Sequence, residues 1–586
     1  MRITKISIKN YKSFSDTGGT INFYGPLSLF VGKNNAGKSN IFSALNLILG
    51  TKNPNYIKIE EADFFDKTKP IEIELTIGEI TNEDKNELFG LPNLTKKQKG
   101  ALASKNLDEI KIIFSFQHYL QNETGDLEIE ERGIEAEQEQ RQQFEIKLWG
   151  FTIRRKVEDV RLALIRMLKV PAVRDVSDEL SSSKWTYYGQ LMKDILEDSP
   201  QYREVKILLN QINSKIQEVF TTQKSHLLAG AKVVSYVDDI NFELTKEGNP
   251  SELLRNLEVF ITESNRKVNI QSTGTGTQSA IIIAILELAL KNKPARHRLF
   301  CVEEPEIFIH PHGIRYLGEL LRKIATDNKT QVIVSSHSPL LITTFSPQEI
   351  IRVDKANGVT KIFQPTLTSL PDEHFKRFIN AESAEMFFSD KVILVEGDTE
   401  KHLLPALGRI TLIDENDNNY CDFDKANIGI IKLNGKDNLI NFIRVLEAFE
   451  IPFLALLDND FLQSSWCKKV CQKLNIQNSN NPNLITELKN NNIIVNTKGE
   501  TEDLIPDDEL AKITGKTVQD IKNIKNNFKK TSEAFAGSDR KTNGIFNKGK
   551  TAYAIEIADY YERQQKHPLK DLIRGLYLFD KSRIIF

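Results

Sequence analysis

The sequence predicts an α/β protein built from two successive, mostly parallel-sheet units, and three observations lead there. Residues 27–31 (LSLFV) form a β-prone apolar run that ends at Gly32, and an amphipathic stretch follows at residues 40–49. Residues 298–302 (RLFCV) and 331–335 (QVIVS) are further apolar runs with a helical stretch between them, the order of parallel strands buried on both faces. The pattern then starts afresh at residues 391–395 (KVILV) and continues through 428–433 and 453–457 (FLALL), which calls for a second sheet.

The bulk properties fit a folded, multidomain chain. With 586 residues, 40% hydrophobic and 27% charged, the sequence is too long for one core and suggests three or four units. Its 78 basic and 80 acidic side chains leave a net charge of −2, which neither demands nor excludes a nucleic-acid partner, since such a partner needs only a local basic surface. Four cysteines, Cys301, Cys421, Cys467 and Cys471, are too few for a disulfide framework. Cys467 and Cys471 lack a second ligand pair at zinc spacing, so packed thiols are expected. Residues 1–5 open directly into a strand pattern, without a secretory signal. The longest apolar run, 280–290, contains Glu287 and falls short of the ~20 residues that span a bilayer. A cytoplasmic protein without membrane contact is expected.

Taken in order, Ile3, Ile6 and Ile8 mark a first strand, and residues 71–77 and 110–116 mark half-buried strands. The Glu/Gln/Arg-rich stretch 129–143 reads as a solvated connection. Residues 157–260 read as mainly helical, for example 202–219, and carry no chemical motif. Helix-then-strand order returns at 274–344. The Asn-rich piece 475–492 reads as a surface excursion within the second sheet unit. The expected division is 1–156 and 261–380 for the first α/β domain, 157–260 for its helical insert, and 381–586 for the second α/β domain.

Gly32-Lys33-Asn34-Asn35-Ala36-Gly37-Lys38-Ser39 matches G-x-x-x-x-G-K-[ST], with a strand before it and a helix beginning at Asn40 after it. Glycines let the backbone N–H groups wrap phosphates, and the helix N-terminus favours their charge. Lys38 is expected to reach the β- and γ-phosphates of ATP, and the Ser39 hydroxyl to ligate Mg²⁺. The second part of such a site is expected at the end of the 298–302 run, where Glu303 would serve the metal and Glu304 would be the general base for the attacking water.

Glu303-Glu304-Pro305-Glu306, followed by His310-Pro311, resembles the Walker B and D-loop region of ABC-type ATPases of the SMC/RecF kind. Residues 272–278 (STGTGTQ), with Gly274 and Gly276, resemble a degenerate ABC signature, and Ser336-His337-Ser338-Pro339 resembles the switch histidine that senses the γ-phosphate. P-loop, signature, Walker B and switch His stand in the family's order. The resemblance implies two chains sandwiching two nucleotides, because the signature contacts ATP held by the partner protomer. The signature departs from L-S-G-G-Q, which separates ATP binding from ATP turnover.

A second chemical centre begins where residues 391–395 run into Glu396-Gly397-Asp398-Thr399-Glu400. A helix starting at Asp398 would carry Glu400 in its first turn, facing back toward Glu396. Asp458 and Asp460 follow the run 453–457, and alternate strand residues share a face if the strand persists. Oxygen-only donors suit Mg²⁺ or Mn²⁺. The lysine-rich segment 522–530 is a solvated helix face or a phosphate contact.

Glu396, Glu400 and the Asp458-x-Asp460 pair resemble the Toprim domain, and an SMC/RecF-like ATPase followed by Toprim is the architecture of the OLD (overcoming lysogenization defect) nucleases. The resemblance covers nearly the whole chain apart from the helical insert. It implies metal-dependent cleavage of DNA and, for several members, a role in phage conflict. It also implies that Glu502 or Asp503 ligates a second metal and that Lys550 stabilises charge on the scissile phosphate. The expected mechanism is two-metal phosphodiester hydrolysis, with Glu396, Glu400, Asp458 and Asp460 holding the first ion and the ATPase regulating access. The expected assembly is a homodimer or higher homo-oligomer through the ATPase and the helical insert, with a helicase or other defence partner in addition to DNA. The competing function is an ATP-dependent DNA clamp whose Toprim module docks without catalysis. A topoisomerase would need a nucleophilic tyrosine, but Tyr553, Tyr560 and Tyr561 fall in a regular helical stretch.

Overall fold

The computed structural model describes residues 1–50, 59–89, 109–116, 143–148, 151–153, 165–170, 196, 199–219, 260–263, 266–269, 297–326 except 308 and 310, 330–366, 375–376, 378–414, 418–476, 483–528, 530–537 and 544–579. The chain divides into two compact units, Met1–Leu29 with Gly37–Ser336, and Phe30–Ala36 with His337–Phe586.

In the first unit, β1 (Arg2–Lys9) pairs antiparallel with β2 (Gly19–Asn22), and β3 (Leu27–Val31) leads toward helix α1 (Lys38–Leu49). Strand β4 (Ile71–Gly78) pairs with β1 and is followed by α2 (Asn82–Phe89), then β5 (Ile110–Phe116), β6 (Gln143–Leu148) and β7 (Phe151–Ile153). These strands form an antiparallel sheet in the order β2-β1-β4-β5-β6-β7. The period-2 pattern explains β4, since Ile71, Ile73, Leu75 and Ile77 alternate onto one buried face. In α1, Ile41, Phe42, Leu45 and Ile48 recur at helical spacing and are buried.

A parallel set follows: β8 (Arg166–Val170) beside β11 (Arg298–Glu303), and β11 beside β12 (Thr330–Ser336). Helix α3 (Tyr202–Val219) forms where a helix is expected, and β9 (Phe260–Glu263) and β10 (Arg266–Asn269) make an antiparallel pair. Between β11 and β12 runs α4 (Pro311–Thr326), which opens on a proline and buries Ile314, Leu317, Leu321 and Ile324. Strand β8 lies inside the stretch that the sequence reads as helical. Its pairing with β11, Arg166 opposite Arg298, overrides a local pattern too mixed to reveal a strand. Most of 157–260, residues 129–142 and the signature-like 272–278 lie outside the described residues.

In the second unit, after the single turn α5 (Pro339–Ile342), β13 (Ile350–Ala356) and β14 (Val359–Phe363) form a hairpin. Its turn residues Asn357 and Gly358 both have positive φ, 52° and 81°, as a right-twisted two-residue hairpin requires. The second sheet is wholly parallel, in the order β16-β15-β17-β18, from β15 (Lys391–Val395), β16 (Ile428–Lys432), β17 (Phe453–Asp458) and β18 (Ile493–Asn496). Helix α6 (Asp398–Gly408) leads from β15 to β16, and α7 (Leu439–Ala448) leads from β16 back across to β17. That reversal beside β15 opens a crevice at the carboxyl ends of the strands.

After β17 come α8 (Ser465–Lys473) and α9 (Leu484–Asn490). The Asn-rich stretch is thus more than a surface excursion, because Leu484 and Leu488 bury one side of α9. Helices α10 (Asp507–Thr514), α11 (Val518–Asn526), α12 (Thr531–Ala536), α13 (Lys550–Gln564) and α14 (Lys570–Leu578) complete the unit. Ile393, Val395, Leu403, Leu407, Tyr553, Ile557 and Ile573 belong to one core, so α6, α13 and α14 cover the same side of this sheet. All four cysteines are buried thiols outside any disulfide, as expected of Cys467 and Cys471. Among the described residues no helix is long and apolar enough to cross a membrane.

Candidate functional site

In the second unit, the loop after β3 is held by close backbone packing. Gly32 has φ 147°, and a Cβ there would lie 2.0 Å from the Val353 carbonyl oxygen, so only glycine fits. The Ala36 carbonyl accepts from Thr360 Oγ1 at 2.9 Å, and the Lys33 ammonium pairs with Asp390. Asn35 adopts φ 63°, a conformation asparagine tolerates. Asn34 is exposed.

In the first unit, Gly37 at φ 110° starts α1, with Ser39 in its first turn, and Asn40 Nδ2 donates to Ser13 Oγ at 2.6 Å. Lys38 is buried. Burial lowers its pKa to about 8, against the pull of Glu304 and Glu306. Glu303 ends β11 in a buried position. Glu304 follows at φ 46°, a strained conformation for a side chain with a Cβ, and its N–H donates to Ser335 at 2.9 Å. Glu306, to which the motif alone assigns no role, accepts from Ser336 Oγ at 2.6 Å. The first unit therefore brings Lys38, Glu304 and Glu306 within electrostatic reach, the charge arrangement a phosphate and its metal require. In the second unit His337 stacks on Phe388, ring centres 6.2 Å apart. Gly274, Gly276 and His310 lie outside the described residues.

The second centre lies at the carboxyl ends of β15 and β17. Gly397 precedes α6 in extended backbone, and its N–H donates to Glu400 Oε2 at 3.1 Å, which turns Glu400 back toward the strand end. Glu396 Oε2 accepts from the Asp458 N–H at 3.4 Å, tying the two strand ends together. Glu502 stands in a short 3₁₀ turn (Thr501–Leu504) and is 3% exposed, with Glu400 at 4%. Thr399 Oγ1 donates to Glu502 Oε1 at 2.7 Å, and Tyr553 Oη donates to the same oxygen.

These carboxylates repel one another. Burial and then Glu502 raise the Glu400 pKa to about 7, while burial followed by Glu400, Glu396, Glu502 and Glu500 raises Asp458 to about 9. Burial raises Glu502 too, against the hydrogen bonds from Tyr553 and Thr399. Five acids in mutual repulsion are a donor set that wants cations.

Two cations come from the chain itself. The Lys436 ammonium pairs with Asp460 and lies 3.6 Å from Glu396 Oε1. Lys530 bonds Asp460 Oδ2 at 2.9 Å and lies 3.7 Å from Glu500 Oε1. Burial works to raise the Asp460 pKa, but the two lysines hold it below the usual carboxylate range. Among the described residues, no three acids converge tightly enough to enclose an ion. Oxygen-only donors are of the kind a hard divalent cation takes.

Three expectations need adjustment. The strand stops at Asp458, and Asn459–Gln463 is a 3₁₀ turn, so Asp460 leaves the face of Asp458 and meets the lysines instead. Of the Glu502/Asp503 alternative, Glu502 faces the acids. Asp503 is exposed and occupied with the Glu500 N–H at 2.7 Å and Thr531 Oγ1. Within the 522–530 segment, Lys525 and Lys530 are engaged by Asp507 and Asp460, while Lys522 is exposed. Lys550, exposed at the start of α13, reaches Ser532 Oγ at 3.4 Å, and Ser532 donates to Glu500 Oε1 at 3.0 Å. Sequence reasoning assigned no role to Lys436, Glu500, Thr399 and Ser532, although Gly435-Lys436 shortly after the half-buried β16 was a usable signal. Tyr553 lies inside α13 with its hydroxyl spent on Glu502, as befits a supporting residue and not a nucleophile.

A P-loop ATPase core followed by a parallel-sheet acid site defines the class of ATPase–Toprim enzymes. Residues 1–342 match the family described as AAA ATPase domain, and residues 387–460 match "Overcoming lysogenization defect protein-like, TOPRIM domain". The chain belongs to the OLD family: an ATPase domain joined to a Toprim nuclease domain. It is 25% identical to the Old nuclease of Escherichia phage P2 over 79% of this chain and 78% of that one. It is likewise 25% identical to the OLD nuclease of Thermus scotoductus, over 78% of this chain and 82% of the relative. Endonuclease GajA of Bacillus cereus is 22% identical over 81% of this chain and 78% of its own length.

Proposed function

We propose that the chain is an ATP-regulated, divalent-metal-dependent DNA nuclease acting in phage exclusion or anti-phage defence. The observation that carries the reading is the acid cluster of Glu396, Glu400, Asp458 and Glu502, which a docking module would have no reason to bury against its own repulsion.

Glu396, Glu400 and Asp458 would hold the first Mg²⁺ or Mn²⁺, with Asp460 joining once Lys436 and Lys530 release it, and Glu502 would help hold a second. Paired ions would supply an activated water and neutralise the leaving oxygen. Thr399 and Tyr553 orient Glu502 by donating to one of its oxygens. Lys550, positioned through Ser532, would stabilise charge on the scissile phosphate. In the ATPase, residues 32–40 would bind ATP, Ser39 and Glu303 its Mg²⁺, and Glu304 would accept a proton from the attacking water. His337 would sense the γ-phosphate, and Gly274 and Gly276 would contact ATP of a partner protomer in a homodimer.

Regulation by ATP draws support from the second unit. Lys33 of the P-loop pairs with Asp390, next to β15, whose end carries Glu396. Gly32 presses on Val353, and the neighbouring Arg352 donates to the carbonyls of Phe449 and Glu450 at 3.2 and 3.4 Å, just beyond α7. A shift of the loop on nucleotide binding would thus be felt at two points of the Toprim sheet.

The test is cleavage of supercoiled plasmid with Mg²⁺ or Mn²⁺ by the wild type, Glu400→Ala and Lys38→Ala. Cutting lost in Glu400→Ala but retained, with altered ATP response, in Lys38→Ala is the expected result. A wild type that binds DNA and never cuts would favour the ATP-dependent clamp, for which the lysine-neutralised Asp460 is the supporting observation.

A further inference from the structure

A second feature of the Toprim unit lies beside the acids and takes no part in holding metal. Helices α7 and α8 enclose a cleft of about 310 Å³ lined by Asn438, Asn441, Arg444, Trp466 and Lys469, with Asp437, Ile440 and Phe378 completing its wall. Its position follows from the topology. The segment after β16 delivers Lys436 to Glu396 and Asp460, then turns through Asp437 and Asn438 into α7. The segment after β17 delivers Asp458 and Asp460, then turns into α8. Both walls of the cleft therefore begin at the acid site.

The side chains are grouped by helical spacing. Ile440, Asn441 and Arg444 occupy one face of α7, and Trp466 and Lys469, three apart, occupy one face of α8. One turn further along each helix, Lys473 bonds Glu447 Oε2 at 2.8 Å and ties the two helices together. Phe378, which also lines the cleft, packs against Phe442 with the rings tilted at 56° and their centres 5.3 Å apart. The charges facing the cleft are Arg444 and Lys469 against Asp437, a net positive balance. Arg444 and Lys469 are exposed and Trp466 is half-buried. The Lys469 ammonium rests 3.8 Å from the Trp466 ring centre, a cation on the π-face a planar group would use. An indole platform, side-chain amides and two exposed cations are elements with which proteins hold an unstacked nucleotide.

We propose that this cleft receives an unpaired nucleotide of the DNA strand entering the acid site, its base on Trp466 and its phosphate on Arg444 and Lys469. Lys469 would leave the indole face for the phosphate as the base arrives, and Asn441, with the Oδ1 of Asn438, whose Nδ2 donates to the Leu433 carbonyl at 2.9 Å, would meet the base edge. A volume near the lower end for small-molecule sites, roughly 300 Å³, suits one nucleotide and not a duplex. The proposal rests on the nuclease reading and adds to it a preference for DNA with a single-stranded flank.

The test uses the full chain without divalent metal, so that binding is read apart from cutting. A labelled blunt duplex is compared with the same duplex bearing an oligo-dT overhang at either end. The wild type is expected to favour an overhang by roughly tenfold. Trp466→Ala should fall to the blunt-duplex level with its melting temperature kept, and Trp466→Phe should retain most of the preference. Arg444→Gln should lower the slope of log affinity against log salt by about one on the overhang substrate alone. A wild type without the preference, or a folded Trp466→Ala that keeps it, overturns the proposal. Plasmid cutting separates the two readings. A wild type that cuts plasmid but ignores overhangs loses only the cleft, whereas one that holds overhangs through Trp466 and cuts nothing keeps the cleft and loses the nuclease.

Discussion

Thr399 Oγ1 donates to Glu502 Oε1 at 2.7 Å across 103 residues of chain, so the first turn of α6 fixes a carboxylate that arrives from beyond β18. Tyr553 donates to the same oxygen from α13, and three segments thereby converge on one acid. This convergence keeps a nearly buried Glu502 near Glu400 despite their repulsion.

Removing one of those donors tests how much it contributes. Tyr553→Phe keeps the ring that packs on Phe535 and Phe546 and deletes only the hydroxyl. A hydrogen bond to a charged group is worth roughly 1.5–3 kcal/mol, so denaturant unfolding should show a loss of about that size. An unchanged midpoint would mean that Glu502 is protonated and finds another partner.

The lysines among the acids should compete with metal. In Lys436→Met and Lys530→Met, one positive charge leaves the neighbourhood of Asp460, and Mn²⁺ affinity read by electron paramagnetic resonance should tighten roughly tenfold. Weaker Mn²⁺ binding in both variants would show that the lysines organise the acids instead of competing at them.

Gly32→Ala should abolish nucleotide binding or destabilise the chain outright. The added Cβ meets a backbone oxygen at 2.0 Å, and φ 147° is itself strained for alanine. Fluorescent-nucleotide titration and thermal melting check this together. Near-native values in both would mean that the loop relaxes away from Val353 without loss.

His567 gives stability a defined acid limit. Its Nδ1 accepts from the Leu569 N–H at 3.1 Å, so the neutral ring carries its proton on Nε2 and donates to Thr411 Oγ1 at 2.7 Å. Burial, with Lys570 adding to it, lowers its pKa from 6.5 to about 4. The unfolded chain takes up a proton between those values while the folded chain does not. The stabilisation is therefore complete above pH 6.5 and falls away as pH drops toward 4, by up to about 3 kcal/mol. His567→Gln, measured by urea unfolding across this range, should flatten that slope. An equal slope in both proteins would assign the acid sensitivity elsewhere.

Much of the site is legible in the amino-acid order alone. A strand-then-glycine-then-acid pattern is local, and it locates Gly32 to Asn40, Glu303, Glu304, Glu396, Glu400 and Asp458 at the ends of buried strands. Strand β8 is not legible, because a short mixed run becomes a strand only through its pairing with β11. The expectation that Asp460 shares a face with Asp458 meets a related limit: alternation holds only while the strand lasts, and it ends at Asp458.

The sequence by itself determined the two sheet units, the phosphate-binding loop and the identity of the acids, since short-range periodicity and backbone requirements are written residue by residue. Tertiary structure alone decided that Glu502 and not Asp503 joins the cluster and that Lys436 and Lys530 sit among the acids. It alone also placed Trp466 and Arg444 across one cleft. Those relationships depend on which distant segments pack together, and burial and charge, acting through space and not along the chain, set what each group can then do.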